Sequence, residues 1–170
     1  LSGPGFGHVH RWWYPGWSSL GELAGDLADS RPAGRMRFFY HYAGLRAALL
    51  ESLTRLRDPE NSTRLLNSPD LRQRGLVAQM QFDQPTLVHV ISSSGDGGSG
   101  MLIDLGFLLR DLVPDAAVTR HCWLALDDSG SPRHKANSYA LLKELNHYSF
   151  EKNGFTAEWE PGKTIRPNWP

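Results

Sequence analysis

The feature that most constrains this chain is a strand-like run with a glycine stretch directly behind it. Thr86-Leu87-Val88-His89-Val90-Ile91-Ser92 is nearly continuous in apolar and β-branched residues, and Ser93-Ser94-Gly95-Asp96-Gly97-Gly98-Ser99-Gly100 follows at once. Such a run predicts a strand buried on both faces. Beyond the glycines, Met101, Leu105, Leu108, Leu109 and Leu112 recur at helical spacing and Pro114 lies past the end, so Met101 to Leu112 reads as a helix. Val118 to Leu126 reads as a second strand. Two neighbouring strands joined by a helix pair in parallel. The fold class expected is therefore α/β, in layers.

The flanks add helices. Met36, Phe39, Tyr40, Ala43, Ala47, Leu50 and Leu53 predict one inward stripe of a long helix over Gly34 to Arg57, closed by Asp58-Pro59-Glu60-Asn61. The polar segment up to Arg74 reads as loop with a short helical turn, and Leu76 to Phe82 as a short strand. Lys135 to Tyr148 reads as a helix with Ala136, Tyr139, Leu142, Leu145 and Tyr148 inward. One domain is expected over 1–170: an irregular Gly/Pro/Trp-rich segment at 1–25, a core at 26–150 and an irregular or extended tail at 151–170.

Composition narrows the function classes. Among 170 residues, 18 Lys+Arg balance 18 Asp+Glu, which argues against a nucleic-acid binder relying on counterion release and against attraction to an acidic membrane. No apolar run reaches the length of a bilayer span. The single cysteine, Cys122, excludes an internal disulfide and favours a reducing compartment, so a cytoplasmic setting is expected. The chain starts at Leu1 and stops at Arg166-Pro167-Asn168-Trp169-Pro170, which reads as a piece of a longer protein.

The glycine stretch carries the chemistry. Glycines let the backbone turn sharply and approach a ligand. Free N–H groups at the start of the next helix, with the helix dipole behind them, form an anion site. Ligands gather at the carboxyl ends of strands in open parallel sheets. Phosphate is the expected guest. A P-loop is disfavoured, since no lysine stands where its motif needs one. Gly95, Gly97 and Gly100 do fit the dinucleotide spacing, and Asp127 and Asp128 end the second strand, so an NAD(P)-binding oxidoreductase stays open as an alternative.

Ser94-Gly95-Asp96-Gly97-Gly98-Ser99-Gly100 resembles the tubulin signature loop, Gly-Gly-Gly-Thr-Gly-Ser-Gly. Leu87 to Ser92 and Met101 to Leu105 resemble the strand before it and the helix after it. Ala136-Asn137-Ser138-Tyr139-Ala140-Leu141-Leu142-Lys143-Glu144-Leu145 is similar to a motif of bacterial tubulin-like proteins, and Ser30-Arg31-Pro32-Ala33-Gly34-Arg35-Met36 resembles their Arg-x-x-Gly-Arg segment. The resemblance implies the nucleotide-binding half of the tubulin/FtsZ fold, a three-layer Rossmann-like parallel sheet, here incomplete at both ends. It implies GTP or GDP with Mg²⁺, the phosphates held by Ser94, Gly95, Asp96, Gly97, Gly98, Ser99 and Gly100. Asp29, Ser30 and Arg31 would approach the γ-phosphate, and the stretch from Arg133 to Asn137 would lie near the ribose. Self-association into filaments is implied as well, with a hydrolytic site built between subunits, so that this piece alone is not expected to turn over GTP.

Two positions depart from the family pattern. Gly97 replaces its threonine and removes a hydroxyl donor, and Asp96 replaces a glycine. A carboxylate beside a triphosphate repels it unless a cation intervenes. Asp96 therefore either holds Mg²⁺ or marks a degenerate site in a non-catalytic scaffold.

Other candidates have plainer readings. His8 and His10 lack a third metal ligand nearby. Trp12-Trp13-Tyr14-Pro15-Gly16-Trp17 reads as a lid on a core before it reads as a stacking platform. His89 and Cys122 are expected as core residues, and Asp104 as a complement to the helix dipole. Ser99 has no nucleophile elbow around it, so it is expected to bond phosphate.

Overall fold

The computed structural model describes residues 30–76, 86–92, 96–114, 119–126, 131–150 and 152–166. The element order is α1 (Arg31–Arg57), α2 (Pro59–Leu66), α3 (Pro69–Gln73), β1 (Thr86–Ser92), α4 (Asp96–Leu112), β2 (Thr119–Ala125), α5 (Pro132–Tyr148), β3 (Ala157–Glu160) and β4 (Lys163–Ile165).

Four of the helices start on the same local chemistry. Ser30, Asp58, Ser68 and Ser131 cap α1, α2, α3 and α5, and each of those helices has proline as its first or second residue. A capping oxygen satisfies an end N–H that the helix cannot, and proline at the first turn loses no bond. Asp58 serves twice, ending α1 and opening α2 with its carboxylate accepting from the Glu60 N–H at 2.9 Å. The polar segment expected as loop is thus two short helices. Likewise α5 begins at Pro132, so Arg133 to Asn137 lie within the helix and not in a loop before it.

β1 and β2 pair in parallel without a register shift, from Thr86 opposite Thr119 to Ser92 opposite Ala125, with α4 connecting them. The expected strand–helix–strand unit is present. Among the described residues the strands make two two-stranded sheets, so the structure is mostly helical and a larger Rossmann-like sheet is not seen. The second sheet is the antiparallel pair β3–β4, with a bulge between Glu158 and Glu160 and a Pro161-Gly162 turn in which Gly162 takes φ +77°. The segment expected to be an irregular tail is therefore a hairpin, and it supplies core: Trp159 and Ile165 are buried.

The core lies where α1 and α4 pack together, with β3 and β4 closing it. Met36, Phe38, Phe39 and Tyr42 of α1 meet Ile103, Phe107 and Leu108 of α4, and Phe155, Ala157, Trp159 and Ile165 fill the remainder. Phe107 and Phe155 stack at 4.0 Å between ring centroids, and Tyr148 of α5 stands edge-on to both.

The buried stripes match the expected ones only in part: Met36, Phe39 and Leu53 are buried and Leu145 and Tyr148 pack against the core, as expected. On α1, Phe38, Phe39 and Tyr42 point inward and Leu45 and Leu49 are half-buried, whereas Tyr40, Ala43, Ala47 and Leu50 are exposed. On α5, Ser138 and Leu141 are buried, whereas Ala136, Tyr139 and Leu142 are exposed. Adjacent stripes of these helices are similarly apolar, so spacing alone does not choose between them. Cys122 is exposed on β2, not buried as expected.

The expectations for residues 1–29, including His8, His10 and the tryptophan run, lie outside the described residues. So do the Leu76 to Phe82 strand beyond Leu76, the placement of Asp127 and Asp128, and the burial of the β1 side chains, His89 among them.

Candidate functional site

α4 begins at Asp96, five residues earlier than the apolar spacing suggested, so Asp96, Gly97, Gly98, Ser99 and Gly100 form its first turns. The first N–H groups of a helix have no partner within it, and the dipole places positive potential there. These amides follow the carboxyl end of β1. Ser94 and Gly95 lie outside the described residues, as do the side chains at Asp96 and Gly97.

The first turn of α1 lies against this start. The Arg31 Nη1–H donates to the Ser99 carbonyl at 2.8 Å, and an Arg31 Nη2–H donates to Glu144 of α5. Gly100 explains how the helices come so close. A β-carbon there would lie 2.9 Å from the Arg31 carbonyl carbon and 3.0 Å from the Arg35 nitrogen, and closer still to the Arg31 oxygen. Gly100 is thus required by helix packing, independently of any ligand.

The structure therefore brings Arg31 against Ser99 and Gly100, with Ser30 and Gly98 beside them in sequence. Ser30 spends its hydroxyl on capping, accepting from the Ala33 N–H at 3.4 Å. Ser99 is fully buried, so its side chain does not face solvent over the helix start. Asn137 is half-buried in the second turn of α5. Glu144, two turns further along α5, belongs to the same motif as Asn137, and its charge complements Arg31; that pairing was the available signal for a residue to which the motif assigned no role.

One turn on, a second arginine of the same segment is paired. Arg35 Nε lies 2.8 Å from Asp104 Oδ2, and the Trp159 indole N–H donates to Asp104 Oδ1 at 2.9 Å. Asp104 stands in the third turn of α4 and is 1% exposed. That is too far from the helix start for a dipole role, and its partners make it a core anchor.

A phosphate group fits this arrangement: the first-turn amides of a glycine-rich helix start, with a guanidinium alongside. No group of three or more His, Cys, Asp or Glu able to hold a metal occurs among the described residues, and the Asp96 carboxylate lies outside them. No described helix is long and apolar enough to cross a membrane.

The parallel strand–helix–strand unit with its glycine-rich helix start is an α/β arrangement. A family model described as tubulin-like matches residues 7–168, and the chain belongs to the tubulin-like family. No curated protein and no solved structure matches it.

Proposed function

We propose that this chain is the nucleotide-binding part of a tubulin-like protein and holds GTP or GDP by its phosphates over the first turn of α4. The observation that carries the reading is the glycine-rich start of α4, whose first-turn amides follow the parallel strand β1. Backbone amides of the α4 start supply the donors there. Asp96 would hold Mg²⁺, which neutralises the charge between the carboxylate and the phosphates. In this reading the described elements belong to a three-layer Rossmann-like domain over 1–170, set in the cytoplasm. The whole protein associates with itself and hydrolyses GTP between subunits.

A second reading is a non-catalytic scaffold whose nucleotide site has decayed. It is favoured by the buried Ser99 and by an Arg31 already engaged within the protein.

Thermal unfolding of the full-length protein with Mg²⁺ and GTP, ATP or NAD(P)H separates these readings. At a hundredfold excess over Kd, a bound ligand raises Tm by roughly 5 °C. A rise with GTP supports the nucleotide site, a rise with NAD(P)H alone supports a dinucleotide enzyme, and no rise supports the scaffold. The pair Asp96→Gly with Gly97→Thr then reports on the metal: lost GTP affinity places Asp96 at Mg²⁺, and gained affinity marks a decayed loop.

A further inference from the structure

Arg31 and Glu144 lie 113 residues apart, yet one guanidinium joins their helices to α4. The Arg31 side chain is 12% exposed and that of Glu144 is 46% exposed. Two of the five guanidinium donors have described uses, on the Ser99 carbonyl and on Glu144. A helix carbonyl points toward the C-terminal end of its helix, so this guanidinium stands beside the α4 start and not over its amides.

The two ends of this contact differ in how readily they exchange. Glu144 is half-solvated, and an ion pair of that kind contributes at most about 1 kcal/mol. A tetrahedral phosphate offers two oxygens to the planar guanidinium fork, a bidentate, charge-assisted match. Resting on the nucleotide reading above, we propose that Glu144 is a positioning residue of the phosphate site. It holds the Arg31 guanidinium beside the first turn of α4 when no ligand is bound, and it yields the guanidinium to the phosphates when ligand arrives. Occupancy of the α4 start is thereby linked to the hold of α1 on α5. Glu144 sets the affinity from a helix that supplies no phosphate donor at that point.

The test is a double-mutant cycle in the full-length protein, titrated calorimetrically with Mg²⁺–GTP and, separately, with inorganic tripolyphosphate. Glu144→Gln removes the competitor and is expected to tighten both probes about three- to fivefold. Arg31→Gln is expected to weaken both about tenfold. In the Arg31→Gln background, Glu144→Gln is expected to change nothing. Should Arg31→Gln fail to fold, Arg31→Lys takes its place, keeping the charge and losing the fork. If wild type binds and Glu144→Gln leaves affinity unchanged or weakens it, the competition is overturned while the nucleotide reading stands. The same holds if the gain persists without Arg31, since that is a plain charge effect. If no variant binds either probe, both the reading and this inference fall.

Discussion

The indole N–H of Trp159 donates to the Asp104 carboxylate at 2.9 Å, joining the β3–β4 hairpin to the middle of α4 across 55 residues of sequence. Arg35 pairs with the same carboxylate, its Nε 2.8 Å from Oδ2 and an Nη2–H donating to Oδ1 at 3.3 Å, so α1, α4 and the hairpin meet on one buried side chain. A buried charge is tolerated only when paired and hydrogen-bonded, and removing one partner strands the others. Asp104→Ala is expected to destabilise the domain by about 3 kcal/mol in urea unfolding. Trp159→Phe keeps the Arg35 pair and is expected to cost about 1–2 kcal/mol. A loss below about 1 kcal/mol for Asp104→Ala would contradict the anchor role.

Two glycines of α4 are expected to respond with opposite sign. A β-carbon at Gly100 meets the backbone of α1, whereas one at Gly106 meets nothing within 4 Å. Gly100→Ala should cost about 1–3 kcal/mol through overpacking. Gly106→Ala should add about 0.5–1 kcal/mol of stability, because alanine is the better helix former. Equilibrium unfolding of the two variants side by side measures both. Equal effects would mean that α1 does not approach α4 at Gly100.

Alkaline pH probes the aromatic core. Burial raises the Tyr42 hydroxyl above its ordinary value of 10.0, with Glu160 and Asp111 pushing the same way and Arg46 opposing them. Burial raises Tyr148 as well, with Arg35 opposing. The folded state then holds its protons to higher pH than the unfolded chain does. Stability is intact below pH 10 and falls as pH climbs from there through the raised folded values. Urea unfolding between about pH 9 and 11.5 measures the slope, and Tyr42→Phe should flatten part of it. An unchanged slope in that variant would show that Tyr42 ionises freely in the fold.

Much of this fold was legible, and the failures share a cause. β1, α4 and β2 stand in the expected order and pairing, because a β-branched run, a glycine stretch and a 3.6-residue period are local signals. The capping residues before Pro32, Pro59, Pro69 and Pro132 were also local, yet only Asp58-Pro59 was read, and only as a stop. The choice of inward stripe on α1 and α5 depends on what packs opposite. Tyr42 turns inward because Trp159 waits for it, 5.7 Å away between ring centroids, and nothing near Tyr42 in sequence announces Trp159.

The candidate site divides in the same way. The glycine turn was evident from composition, whereas the partners of its neighbouring arginines were not. Arg31 with Glu144 and Arg35 with Asp104 are long-range pairs. Gly100 was assigned to a ligand because glycine invites that reading, and the approach of α1 supplies a second reason that sequence cannot display.

The central claim is that the start of α4 is a nucleotide site. Calorimetric titration of GTP into the full-length protein, with and without Mg²⁺ and with ATP as control, tests it most directly. Micromolar, Mg²⁺-dependent GTP binding, without a matching response to ATP, is the result expected. No heat with GTP, from a protein that unfolds cooperatively and is therefore folded at the outset, would contradict it.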